Sequence, residues 1–331
     1  MMCPDVDVIL PFNKLDDYLL PAIKSVFASL GVQVRLILVD DRLDSSDSIP
    51  DLPGQNIVIL RTAERGYGNA ISVGLREVSS EFFALMNADD LVHPNRLNHQ
   101  IRDLVKTNSE LSVGRVIKFN NSGIVVSQKL GNLRSRTYSP EALLLGAYGA
   151  NATWCAKTSV IQEWTFSVKP ATDWITALNY FEHTQITYSS SAIYFYRQHS
   201  SQVTKSKSYF RNSFQDVYPS WADLCQRLNM PVLDEATSVL VAAPWAVSVK
   251  PSHEKVTASI NWLNSFEALT HHRYSNLVNR RMLFLLRNAT GIERFTPIEF
   301  FSAFKGLFSY LIEAILSIFR TIRFRKLLIP K

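Results

Sequence analysis

The residues best equipped for chemistry stand together in Phe82-Phe83-Ala84-Leu85-Met86-Asn87-Ala88-Asp89-Asp90-Leu91-Val92-His93-Pro94. An apolar run of strand length stops at a polar cluster holding two adjacent carboxylates. A proline then opens a segment whose Leu97, Ile101, Leu104 and Val105 recur at helical spacing. Asp89 and Asp90 are therefore expected on the loop leaving the carboxyl end of a strand, the edge at which open α/β sheets bind ligands. Hard oxygen donors this close suit Mg²⁺ or Mn²⁺, which also take phosphate oxygens. The other reading is a solvated Asp-Asp turn that caps the Pro94 helix.

Positioning these acids requires the elements before them. Val6–Leu10 reads as a strand ending at Pro11-Phe12-Asn13, followed by the helical pattern Leu15, Leu19, Ala22, Ile23, Val26, Phe27 and Leu30, stopped by Gly31. Val34–Val39 is a second strand, running into Asp40-Asp41, and Asn56–Leu60 a third. Arg65-Gly66-Tyr67-Gly68-Asn69 then leads into a helix carrying Ala70, Ile71, Val73, Gly74 and Leu75, and Phe82–Met86 is the fourth strand. This alternation predicts a mostly parallel sheet covered by helices on both faces. Parallel strands share a direction, so Asp41 and the Asp89/Asp90 pair are expected on one edge.

The second half is more broken. Val113–Phe119 and Ile124–Val126 read as a hairpin turning at Asn120–Gly123, Gly131–Arg136 as a basic loop, and Glu141–Leu145 as a short helix. Trp154–Ala156 is strand-like, a helix begins near Thr172-Asp173-Trp174, and Ile186–Tyr188 and Ile193–Tyr196 read as two short strands before Arg197-Gln198-His199. After Tyr209 the strand signals fade. Trp221, Leu224 and Leu228 share a helical face, as do Ile260, Leu263, Phe266 and Leu269, and Leu277, Met282, Leu285 and Leu286. We expect an α/β domain over 1–208, its halves meeting near 110, a helical extension over 209–296, and a tail helix over 297–331.

In that tail Phe300, Phe304, Phe308, Leu311, Ile315 and Phe319 belong to a broad apolar surface, and Arg320, Arg323, Arg325, Lys326 and Lys331 make its end basic. Lys305 and Glu313 interrupt it as a membrane span. It reads either as an interfacial helix on an anionic membrane or as a helix packed on protein.

Composition sets the outer bounds. With 331 residues, 47% of them hydrophobic and 19% charged, the chain can bury a full core and is not a disordered one. A net charge of +6 concentrated near the tail argues against nucleic acid as partner. Three scattered cysteines, Cys3, Cys155 and Cys225, form neither a disulfide framework nor a zinc site and point to a reducing compartment. Val6–Leu10 is too short for a signal peptide, so a cytoplasmic protein, peripheral on the inner face of the plasma membrane, is expected, and the three Asn-X-Ser/Thr sequons read as chance. No G-x-G-x-x-G follows the first strand, which counts against a dinucleotide-dependent oxidoreductase.

Pro11-Phe12-Asn13, Val39-Asp40-Asp41, Gly66–Leu75 and Asn87–Asp90 followed by Pro94, Arg96-Leu97 and Gln100 together resemble the family 2 glycosyltransferases of the GT-A fold. The resemblance runs from Val6 to Leu104 and again from Thr172 to Thr204. It implies an inverting transfer of a sugar, with a UDP-sugar the leading donor, to a hydroxyl of a glycan or lipid-linked acceptor in surface-polysaccharide assembly. It implies that Pro11 and Asn13 begin the donor pocket, that Asp41 holds the nucleoside, and that Arg65, Asn69, Asn87 and Ala88 line the nucleotide-sugar site. Arg65 and Asn69 read equally as a loop charge and a helix cap. Asp89 and Asp90 are the implied ligands of Mn²⁺ or Mg²⁺, Arg197 and His199 reach the diphosphate, and Asp173 is the catalytic base, or else a helix cap. Asn87 stands where the family often has Asp, and Thr172 where it has Glu. His93 reads as a turn residue, and Trp154 and Trp174 either stack on a sugar or belong to the core. A non-catalytic nucleotide- or glycan-binding module is the alternative, and a homo-oligomer is compatible with either.

Overall fold

The computed structural model describes residues 3–42, 49, 52, 56–120, 123–124, 136–146, 149–164, 166, 171–180, 185–199, 207–244, 247 and 250–288. The basic apolar tail, Ser200–Thr204, residues 131–135 of the basic loop and residues 125–126 of the hairpin lie outside them. The chain forms two compact units: residues 1–128, 133–140 and 148–205, and residues 129–132, 141–147 and 206–331.

The first unit is built on a ten-stranded sheet. In chain order it contains β1 (Asp5–Phe12), α1 (Leu19–Phe27), β2 (Gln33–Asp40), β3 (Ile57–Arg61), α2 (Tyr67–Glu77), β4 (Phe82–Leu85), β5 (Leu91–Val92) and α3 (Arg96–Thr107). Then follow β6 (Leu111–Asn120), β7 (Gly123–Ile124), β8 (Arg136–Tyr138), β9 (Trp154–Lys157), α4 (Thr172–Tyr180) and β10 (Ile186–Arg197). The sheet order is β3-β2-β1-β4-β9-β6-β10-β5, with β7 on β6 and β8 on β10. β1, β2, β3 and β4 pair in parallel. β9 enters antiparallel to both β4 and β6, so β6, and β10 parallel to it, run the same way as β1. All six strands therefore present their carboxyl ends at one edge.

Both faces are covered because β1 is apolar on each. Val6, Val8, Leu10 and Phe12 join Leu19, Ile23 and Val26 of α1 and Leu97, Ile101 and Leu104 of α3 in one buried cluster. On the other face α2 comes so near that a Cβ on Gly74 would lie 2.5 Å from Cγ2 of Ile9, which makes glycine obligatory there. α3 carries the pin of the sheet's centre. The buried Arg96 donates to the carbonyls of Leu85 and Trp154, at 3.2 and 3.3 Å, and to Gln100. Gln100 in turn donates to the carbonyls of Ser112 and Thr153 at 3.0 and 2.7 Å. Two helix side chains thus satisfy backbone acceptors where β4, β9 and β6 meet.

Two local departures from the sequence reading have clear causes. The expected pair of short strands near 186–196 is one strand, β10, whose register along β6 slips between Ser189 and Ile193. Gly114 faces this bulge, where a Cβ would lie 3.0 Å from the Ala192 carbonyl oxygen. β5, only two residues long, carries no pattern of its own and exists because β10 supplies its partner.

The second unit contains helices α5 (Lys207–Arg227), α6 (Glu235–Ala242), α7 (His253–Leu269) and α8 (Ser275–Asn288). Trp221, Trp262 and Phe266 form its aromatic core, with ring centroids 5.5 and 5.6 Å apart. Asp234 and Ser252 cap α6 and α7. Among the described residues no helix is long and apolar enough to cross a membrane.

At the amino end of β1, Asp7 is fully buried and accepts from Arg35 (2.7 and 2.9 Å), the amides of Ser79 and Ser80 (2.7 and 2.9 Å) and the Ser80 hydroxyl. Burial pushes its pKa up, but Arg35 and the two serines overcome this and hold it below the ordinary 3.8. A depressed folded-state pKa stabilises the fold above the unfolded value, and that stability is lost as pH falls through the folded value. Asp7→Ala should cost about 3 kcal/mol at neutral pH. In urea unfolding, the gap between wild type and variant should narrow as pH falls below 3.8.

Candidate active site

At the carboxyl edge, the loops after β1, β2, β4 and β10 supply most of the residues singled out from the sequence. Pro11 is buried at the end of β1 opposite Val39, and Asn13 is exposed just past it. Asp41 leaves β2 with a buried carboxylate that accepts the Gly66 amide, at 2.9 and 3.1 Å, and the Thr62 hydroxyl at 3.0 Å. Gly66 has φ +144°, a conformation that disfavours a side chain, so glycine lets its amide turn back onto Asp41 at the start of α2. Arg65 is exposed and Asn69 half-buried on either side of this contact. Asp40, which the sequence reading left without a role, pairs with Arg42 (2.8 Å) and Arg61 (3.2 Å) and secures the strand end.

After β4 the adjacent carboxylates turn opposite ways. Asp90 is fully buried and accepts three donors: the Tyr194 hydroxyl (2.7 Å), the Arg197 amide (2.7 Å) and Nδ2 of Asn87 (3.2 Å). Burial, then the neighbouring Asp89 charge, push its pKa up, and the three donors oppose them. Asp89 is one-third exposed, and its Oδ2 lies 2.9 Å from Nε2 of His199. Its carbonyl accepts Nε of Arg197 at 2.7 Å. The Arg197 guanidinium also lies over the rings of Tyr18 and Phe119, 4.7 and 4.5 Å from their centroids, and Tyr18 packs 5.1 Å from the His199 ring. The end of β10 is thus strapped to the loop holding Ala88 and Asp89.

Asp173 lies in the first turn of α4, crowded by protein yet still touching solvent. Burial pushes its carboxyl up to about 6, against hydrogen bonds from the amides of Trp174 and Asn151. It lies near the others: the Tyr67 hydroxyl, pushed up by burial, also feels Asp173, Asp90 and Asp89. Trp154 and Trp174 are core residues, Trp154 packing on Trp164 with centroids 5.6 Å apart. His93 accepts the Asn95 amide in the turn before α3.

Among the described residues no three His, Cys, Asp or Glu cluster as a metal cage. Asp89 and His199 offer one oxygen and one nitrogen, a set that fits a cation completing its shell with phosphate oxygens. The sequence reading missed Tyr194, Tyr67 and Asn151, none of which carries a local signal; each matters through partners distant in the chain.

Residues 7–156 match the family described as glycosyl transferase family 2. This segment is a family 2 glycosyltransferase domain. Its matched boundary falls at the end of β9, so Asp173, Arg197 and His199 lie beyond it. The chain is 30% identical over 108 residues to an uncharacterized glycosyltransferase of Rickettsia typhi, covering 32% of this chain and 34% of that protein. It is also 30% identical over 115 residues to the succinoglycan biosynthesis protein ExoO of Rhizobium meliloti (33% and 32%). It is 27% identical over 125 residues to the UDP-Glc:alpha-D-GlcNAc-diphosphoundecaprenol beta-1,3-glucosyltransferase WfgD of Escherichia coli (36% and 49%). The chain spans about a third of the length of the first of these relatives. In fold, it resembles S. aureus TarS residues 1–349, crystallised with UDP-GlcNAc, at a TM-score of 0.55 and 18% identity over 85% of this chain and 86% of that one.

Tyr194→Phe removes the hydroxyl that donates to Asp90 and accepts the Asn87 amide at 3.2 Å. It should cost the glycosyltransferase domain about 1–3 kcal/mol in chemical denaturation, because two buried partners lose their bond.

Proposed function

We propose that the chain transfers a sugar from a nucleotide-diphosphate donor to a hydroxyl of a glycan or lipid-linked acceptor, inverting the anomeric centre by single displacement. The observation that carries this reading is the Tyr67 hydroxyl: it donates at 3.0 Å to Asn87 of the Asp89–Asp90 loop and bonds Asn151, whose amide bonds the Asp173 carboxylate. A base and a phosphate-facing acid around one point are what glycosyl transfer needs. The names of ExoO and WfgD, and the UDP-GlcNAc bound to TarS, support a nucleotide-sugar donor and a polysaccharide or lipid-linked product.

In this reading the acceptor oxygen forms a bond to the anomeric carbon as the bond from that carbon to the diphosphate breaks. Asp173 takes the acceptor's proton, and the nucleoside diphosphate leaves with the electron pair. A carboxyl at about 6 is ionised at neutral pH yet basic enough to accept a proton. Asp41 sits where its remaining lone pairs can accept from the nucleoside, while its bonds to Gly66 hold the α2 amino end beside the pocket. Pro11, Asn13, Arg65, Asn69 and Ala88 line the same edge. Asp89 and His199 would hold Mn²⁺ or Mg²⁺, which when bound neutralises charge on the diphosphate. Arg197 presents its positive charge on the same side, and Asp90 serves by holding Asp89 outward. From its sequence, the basic apolar tail is proposed to bind an anionic membrane surface.

A screen of nucleotide-diphosphate sugars for metal-dependent release of nucleoside diphosphate tests the reading. Asp173→Asn and Asp89→Ala should each lower turnover at least about a hundredfold, the lower end of the range for losing an acid–base group or one charge-stabilising group. The pH profile of the wild type should lose activity below about 6, as Asp173 protonates. Unchanged turnover in Asp173→Asn would remove the base assignment, and absence of turnover with every donor would leave a binding module. For the tail, the full chain should sediment with anionic liposomes, and deletion of residues 300–331 should abolish this; a truncated chain that still pellets refutes it.

A further inference from the structure

Resting on that reading, we infer that Asn87, Tyr67 and Asn151 form a relay of directed hydrogen bonds that sets the base carboxylate against the metal-facing loop. Asn151 precedes β9 and acts in two directions. Its amide donates to the Asp173 carboxylate, and its side chain hydrogen-bonds the Tyr67 hydroxyl. Its own Oδ1 accepts the Ala152 amide at 2.8 Å, which fixes the side-chain amide and leaves Nδ2 as the group for Tyr67. The Tyr67 hydroxyl then donates to Oδ1 of Asn87 at 3.0 Å, and Nδ2 of Asn87 donates to Oδ2 of Asp90 at 3.2 Å. Asn87 Oδ1 already accepts the Tyr67 hydroxyl, so it is Nδ2 that faces Oδ2 of Asp90, an oxygen that also accepts the Tyr194 hydroxyl. The polarity is then settled along the rest of the chain.

This explains an amide at position 87. An ionised aspartate there could not donate to Asp90, and it would set a third carboxylate beside Asp89 and Asp90. Asn87 is thus a positioning residue, and so are Tyr67 and Asn151. Four loops far apart in sequence, those at 66–67, 87–90, 151 and 172–173, are held in one register by bonds that fail if any link is lost.

Donor turnover by the full chain, with Mn²⁺ supplied, tests the relay. Tyr67→Phe keeps the ring and deletes the hydroxyl; kcat should fall about tenfold while KM for the donor shifts less than about twofold. Asn87→Asp should also lower kcat and leave half-saturation by Mn²⁺ no tighter than in the wild type. Pairing Tyr67→Phe with Asn151→Ala should cost little more than the worse single change, because both break the same chain. Wild-type kcat in Tyr67→Phe overturns the relay, as does an Asn87→Asp variant that binds Mn²⁺ more tightly and turns over faster. A loss of kcat in Tyr67→Phe that matches an unfolded fraction in circular dichroism also overturns it. If the wild type turns over no donor, the functional reading itself has failed; if it is active and Tyr67→Phe equals it, only the relay has.

Discussion

A carboxyl group removed from water is costly without hydrogen-bond partners, and Asp90 recruits three donors. Two of the three, the Tyr194 hydroxyl and the Arg197 amide, come from β10, more than a hundred residues further along the chain. The tie draws the last strand of the sheet onto the loop after β4. Once it is made, Arg197 and His199 fall beside Asp89, and the more exposed acid acquires a guanidinium and an imidazole as neighbours. The buried member of the acid pair is the organiser, and the member that is one-third exposed keeps its carboxylate toward solvent.

The same logic recurs at other points of the sheet. Asp7 gathers Arg35 and two serine amides at the amino end of β1, and Asp40 gathers two arginines at the carboxyl end of β2. Arg96 inverts the arrangement: a buried cation distributed over carbonyls of neighbouring strands, backed by the Tyr194 ring at 5.1 Å. Each group is costly to bury alone and becomes a cross-element clamp when fully bonded. The sheet's apolar core supplies the bulk of the burial; these polar clamps settle where its loops go.

Much of the first half of the sheet unit was legible in the sequence. Apolar runs of strand length alternating with helical spacing set β1 to β4 and α1 to α3, and the acids at the ends of those runs had to share an edge if the strands were parallel. Arg96 and Gln100 stood out only as part of a family pattern; their function as a pin appears once β4, β9 and β6 are adjacent. β10 was misread as two pieces because its bulge interrupts the alternation, and β5 left no trace because a two-residue strand is defined by its partner alone.

The sequence by itself determined the order of elements and the edge on which the acids lie, since side-chain periodicity is a local property of the backbone. Only tertiary structure decided that Asp90 faces inward and Asp89 outward, that Asn87 is a donor to Asp90, and that Tyr67 and Asn151 join Asp173 to that loop. Those outcomes depend on which donors arrive from the 67, 151 and 194–197 regions. Adjacent residues of the same type carry no difference in pattern until their surroundings supply one.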